Sequence, residues 1–183
     1  MPNIINQSFF VEPIELPNLT NTAILEKLTA QINKYEPECL LKILGYPLYK
    51  LFGAESSTRM TDLLNGAEYT DGMGELQKWK GLKHDTVISL IANYIYFHVK
   101  ANEASHSSGV GTVITKPAAG INISPAEKMT TAWNFFSEEV FSMTCFLWLK
   151  KDDNGARVYP EFTYYQFLET RRISRKIDSI FSF

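Results

Sequence analysis

Three histidines, two cysteines and one pair of adjacent glutamates are the places where this chain could do chemistry. His106 stands beside Ser107 and Ser108, the types needed for a base and a nucleophile. That reaction also needs an acid to orient the imidazole, and no residue pattern marks one. His84, His98 and His106 are not spaced as convergent zinc or iron ligands. His84 opens a helical stretch and His98 lies on its later half, so both read as surface or boundary residues. Gly109 and Gly111, with Thr112, resemble a fragment of a phosphate loop. The third glycine or the Gly-Lys-Ser/Thr ending is missing, and the segment follows a helix instead of a strand. Glu138 and Glu139 are neighbours on a helix, point in different directions, and read as solvated charge, not an acid–base pair. Trp79 and the Tyr94, Tyr96, Phe97 group have rings that could stack a base or sugar, but no basic groove accompanies them, which favours a core role. No catalytic residue, cofactor or metal ligand is assigned, and the chain reads as a non-enzyme.

The elements that would position such groups follow from composition and periodicity. At 183 residues, with 45% apolar and 21% charged residues, the chain suits one globular domain whose core needs neither metal nor disulfide. Cys39 and Cys145 sit among apolar neighbours and read as reduced, buried residues. A net charge of -2 gives no bulk attraction to nucleic acid or an anionic membrane. The first residues lack the charged start and apolar run of a secretory signal, and no run approaches a membrane span. Synthesis in a reducing cytoplasm is the expectation.

Residues 1–20 carry Ile4, Ile5, Phe9, Phe10, Val11, Ile14 and Leu16, punctuated by Pro13 and Pro17, so they read as an extended arm. Such an arm packs on its own subunit or reaches to a neighbour; the residues allow both. Apolar spacing predicts a helix over 21–35 and a second, short one from Glu36-Pro37 to a stop at Gly45. Pro47 to Phe52 makes a further turn or two. Ser57 is placed to cap a helix closed by Asn65 and Gly66. Residues 66–82 read as turn-rich, with Trp79 as a plug over the edge of the core. The stretch 85–105 is apolar nearly all round in its first half, which marks a central helix. The stretch 124–150 opens on a capping-box spacing, Ser124 to Glu127, and carries Met129, Trp133, Phe136, Val140, Met143 and Leu147 as one stripe.

The expected fold is therefore all-α: an irregular multi-helix bundle with two long central helices and a long loop or small β-hairpin between them. The single helical domain, 1–183, would carry three appendages: the arm 1–20, the loop 106–123 and a C-terminal tail 160–183. Strands are expected at 112–115 and 120–123, with pieces near Val158 and in the arm. The loop holds Val110, Val113, Ile114, Ile121 and Ile123, which suits a surface that lies against another protein. The tail holds Arg171, Arg172, Arg175 and Lys176, a solvated helix face or a docking tail without the second basic cluster that nucleic-acid binding would want.

Four stretches together carry a family resemblance. They are 32–49 (Ile-Asn-Lys-Tyr-Glu-Pro-Glu-Cys-Leu-Leu-Lys-Ile-Leu-Gly-Tyr-Pro-Leu-Tyr), 79–82 (Trp-Lys-Gly-Leu), 91–97 (Ile-Ala-Asn-Tyr-Ile-Tyr-Phe) and 132–134 (Ala-Trp-Asn). Over about 24–149 the chain resembles head–tail connector (neck or adaptor) proteins of tailed phages and prophages. The resemblance implies a non-enzymatic virion component, made in a bacterial host, that forms a homo-oligomeric ring and contacts portal and tail proteins. The alternative is a helical protein-interaction or regulatory adaptor module of cytoplasmic origin.

Overall fold

A computed structural model describes residues 3–17, 19–84, 89–108, 111–114 and 125–177. The described residues are mostly helical, with two small antiparallel hairpins added, so the fold is broadly but not purely α. The helices are α1 (Thr22–Ala54), α2 (Thr58–Asn65), α3 (Leu90–Ala104), α4 (Pro125–Leu149) and α5 (Tyr164–Ile173). The hairpins are β1 (Ala67–Thr70) with β2 (Leu76–Trp79), and β3 (Ser105–Ser108) with β4 (Gly111–Ile114).

The two long helices expected at the centre are α3 and α4. Tyr94 meets Phe136 and Phe97 meets Trp133, so advancing along α3 means going back along α4: the pair is antiparallel. Residues 89–96 are buried on every side of α3. The buried polar side chains here, Asn93 within α3 and Ser89 just ahead of it, stay within reach of carbonyls. Asn93 Nδ2 donates to Ser89 O at 3.0 Å, and Ser89 Oγ donates to Leu82 O at 3.4 Å. On α4 the expected stripe is buried at Met129, Phe136, Val140, Met143 and Leu147, spaced by the 3.6-residue period. Trp133 is only partly buried, and Ala132 beside it faces the core.

Helix α1 corrects the expected boundary at Pro37. The helix continues through that proline and breaks instead at Gly45, whose φ of 73° and ψ of 156° are not helical. Proline removes one intrahelical donor, and the carbonyl it orphans belongs to Asn33, which is exposed and can turn to water. Gly45 stops the helix as expected, and for a second reason: a Cβ there would lie 2.5 Å from Gln166 Oε1 of α5. Ser57 does occupy the N-cap of α2, though its hydroxyl makes no capping bond.

The stretch 66–82, expected as turns, is a hairpin. Glu68 faces Lys78 and Thr70 faces Leu76 across it. Its four-residue strands were too short for alternation to show. Trp79, at its end, is fully buried instead of resting on the core edge: Nε1 donates to Leu63 O at 3.0 Å and the ring stacks on Phe146. A Cβ on Gly66 would sit 2.5 Å from the Trp79 carbonyl, so the close approach of α2 to β2 requires glycine there.

The arm packs on its own chain. Ile5, Phe9, Phe10, Ile14 and Leu16 are buried in the main core. Glu36, 2% exposed, accepts from Ile4 N at 2.8 Å and Ile5 N at 3.1 Å and clips the arm to α1. Among its described residues the only regular element is a 3₁₀ turn at Gln7–Phe9, in place of the expected strand. In the second hairpin 111–114 pair with the residues before them, 105–108, while the expected strand at 120–123 lies outside the described residues. Two residues separate these strands, and local pairing over so short a connection is favoured. Near Val158 there is a single bridge, Lys151 to Arg157.

Candidate interaction surface

The groups first considered for chemistry lie apart. His98 is held in an aromatic cluster, stacked on Tyr35 at 4.9 Å with Tyr94 and Phe97 edge-on at 4.4 and 5.5 Å. Desolvation pushes its pKa below the ordinary histidine value; nearby Glu38 opposes this and Lys42 and Lys34 add to it. A neutral imidazole here acts as one more ring. His84 is half-buried at a positive φ of 37°. His106 falls in β3 opposite Val113. Among the described residues no group of three His, Cys, Asp or Glu side chains is arranged to hold a metal ion.

Glu138 and Glu139 diverge as expected, but only one is solvated. Glu138 pairs with Lys176 at 2.9 Å in the open, while Glu139 is buried and pairs with Lys80 at 2.9 Å. Cys39 is fully buried, which raises its thiol pKa, and Cys145 is half-buried; both are free. No helix among the described residues is long and apolar enough to cross a membrane.

Of the loop residues expected to meet a partner, Val113 and Ile114 lie in β4, and Val110, Ile121 and Ile123 lie outside the described residues. The four C-terminal cations are placed more fully. The segment 160–183, expected as a tail, contains α5, which packs against both α4 and α1. Thr163 caps it by accepting from Gln166 N, and Gln166 Nε2 reaches Lys42 O at 2.9 Å. Ahead of it, Arg157 lies 4.0 Å over the Trp148 ring and donates to Phe162 O at 2.6 Å. Arg59 joins Glu55 and Glu161, and the Tyr159 hydroxyl donates to Arg59 O at 2.6 Å. Past α5, the chain stays on α4. Trp133 Nε1 and Ser137 Oγ donate to Arg175 O, and Asn134 exchanges two bonds with Ile177.

This anchoring turns one face of α5 outward. Tyr164, Tyr165 and Leu168 are exposed, flanked by exposed Phe141 of α4. Leu41 of α1 is exposed too, and shares a helix face with Gly45, the residue Gln166 touches. The Arg171 guanidinium lies 5.2 Å from the Phe141 ring. Arg172 pairs with Glu169 and Lys176 with Glu138, whereas Arg171 and Arg175 make no ion pair among the described residues. Tyrosine, phenylalanine and arginine are the residues enriched at protein–protein contacts.

A second bare apolar site is the tip of the β1–β2 hairpin, where Met73 is 89% exposed and Leu76 69%. Asp71 shapes this turn by accepting from Glu75 N and Met73 N, bonds that hold its carboxyl below the usual carboxylate range. Both sites escaped the sequence reading. The readable signal for the first was four apolar residues in five, 164–168, too many for one buried helix face.

Compared with known protein families, curated proteins and solved structures, the chain matches none.

Proposed function

We propose that this protein is a structural subunit of a tailed-phage neck, a head–tail connector that works by contact with other protein subunits and not by catalysis. The observation that carries the reading is the outward face of α5. Three large apolar side chains and an arginine-backed phenylalanine are held in the open by a helix whose other side is anchored to α1 and α4. A patch of rings on a rigid base gives association without much ordering cost, because tyrosine and phenylalanine have few rotatable bonds to freeze. The sequence resemblance over 24–149 supplies the context, a ring placed between portal and tail.

The test is electron microscopy of the purified chain, alone and mixed with purified portal particles of the phage or prophage that carries the gene. Ring-shaped particles of cyclic symmetry, free or seated on the portal, are expected. A chain that remains single in both samples overturns the reading and favours a helical adaptor module.

A further inference from the structure

We propose that the tip of the β1–β2 hairpin of one copy docks on the outer face of α5 of another, so that copies of this chain join head to tail. The inference rests on the assembly reading above and supplies its contact.

The first ground is placement. The hairpin leans on Phe146 of α4, through Tyr69 at 5.5 Å and Trp79 at 6.0 Å. Helix α5 leans on Trp148, through Phe167 at 5.0 Å and Tyr164 at 6.0 Å. Two residues along an α-helix are a rotation of about 200°. The hairpin and α5 therefore project from opposite sides of one rigid helix, and neither covers the other within a chain. The turn itself, Gly72 to Glu75, is exposed, while Asp71 and Leu76 border a cavity shared with Leu149 to Asp152.

The second ground is chemistry. The turn at 71–77 holds two carboxylates, Asp71 and Glu75, with the bare Met73 and Leu76. The nearest strand cation, exposed Lys78, stands opposite Glu68. On the α5 side four cations, Arg171, Arg172, Arg175 and Lys176, stand against two carboxylates, Glu169 and Glu138, which pair with Arg172 and Lys176. Arg171 and Arg175 remain without an ion pair among the described residues, beside exposed Tyr165 and Leu168. Tip against tip would set carboxylates together, and α5 against α5 would set arginines together. Like charges disfavour both pairings, and the mixed pairing is complementary. Exposed ion pairs add little affinity, so the apolar side chains hold the contact and the charges choose its direction. Two different complementary patches make a heterologous interface, which adds copies in one sense and closes into a ring when the rotation per step allows.

The experiment uses two full-length variants, a tip variant (Met73→Ser with Leu76→Ser) and a face variant (Tyr165→Ser with Leu168→Ser). All four positions are exposed, and circular dichroism checks that both variants fold. Masses are read by light scattering over a wide range of concentration. The wild-type chain is expected to exceed a dimer, and each variant alone to associate at least ~10-fold more weakly. An equimolar mixture of the two should form a dimer that does not grow, because only one junction remains intact. Variants that still assemble as the wild type does overturn this contact and leave the ring standing. A mixture that stays single, or a wild type that stops at dimers, overturns head-to-tail joining. A wild-type chain that stays single in solution also overturns it, while a ring seated on a portal is decided separately by the microscopy above.

Discussion

The same ring types occupy two places in this molecule under opposite conditions. Between α1, α3 and α4, Tyr94, Phe136 and Trp133 pack on one another, and the polar ends of buried tyrosines find partners: Tyr94 donates to Glu38 at 2.9 Å, and Tyr35 accepts from Asn102 at 2.8 Å. On α5, Tyr164 and Tyr165 lie open. A ring removed from water contributes through area and packing density, whereas a ring left in water contributes almost nothing to folding. Aromatic content alone therefore does not say which rings hold the fold and which are free to hold a partner.

The comparison breaks most sharply at Phe136, which is fully buried. Phe136→Ala should cost about 3–5 kcal/mol, because both transfer energy and a residual cavity are lost. Urea denaturation followed by tryptophan fluorescence reads the shift in midpoint. A loss under about 1 kcal/mol would mean the cluster is loosely packed.

The next effect is pH-dependent and sits at the arm. Burial raises the Glu36 pKa above its ordinary value of 4.5, and the two bonds from Ile4 and Ile5 only partly offset this. The folded state then holds a proton that the unfolded chain releases, so this group's contribution is greatest below the unfolded value. It declines as pH rises through the raised folded value. Glu36→Gln should remove that dependence: in paired denaturation series, wild-type stability falls relative to the variant as pH climbs from 4. Parallel curves would show that the carboxylate is better solvated than its packing implies.

His98 sharpens the same contrast with the reverse sign. Its depressed pKa means the unfolded chain takes up a proton first as pH falls, so stability present at neutral pH is lost on acidification below about 6.5. His98→Phe should flatten that segment of the stability curve while leaving the Glu36 segment in place. The smallest effect belongs to the outer face: Tyr165→Ala should change unfolding stability by no more than about 0.5 kcal/mol. A larger loss would show that this ring serves the fold.

Legibility in the sequence tracked how local the cause was. Most of the α4 stripe from Met129 to Leu147, the nearly all-apolar start of α3 and the stop at Gly45 rest on periodicity and on one residue's backbone freedom. These could be read directly, Trp133 excepted. The passage of α1 through Pro37 could not, because it depends on Asn33, whose carbonyl loses its intrahelical donor, lying on the exposed side of the helix. The β1–β2 hairpin could not either: what holds it is Trp79 reaching Leu63 O and stacking on Phe146, 67 positions further along the chain. Of the candidate site, the cations at 171–176 were visible as a run, but the exposed rings beside them were not separable from core.

The residues by themselves determined where helices form and which stripes are apolar, because a 3.6-residue period and a glycine's freedom act within a few positions. Only the tertiary structure decided that the arm folds back onto Glu36, that residues 164–173 dock between α1 and α4, and that the hairpin and α5 leave opposite sides of α4. Those outcomes depend on which distant surfaces meet, and a side chain's apolar character is the same whether it meets its own core, a neighbour or water.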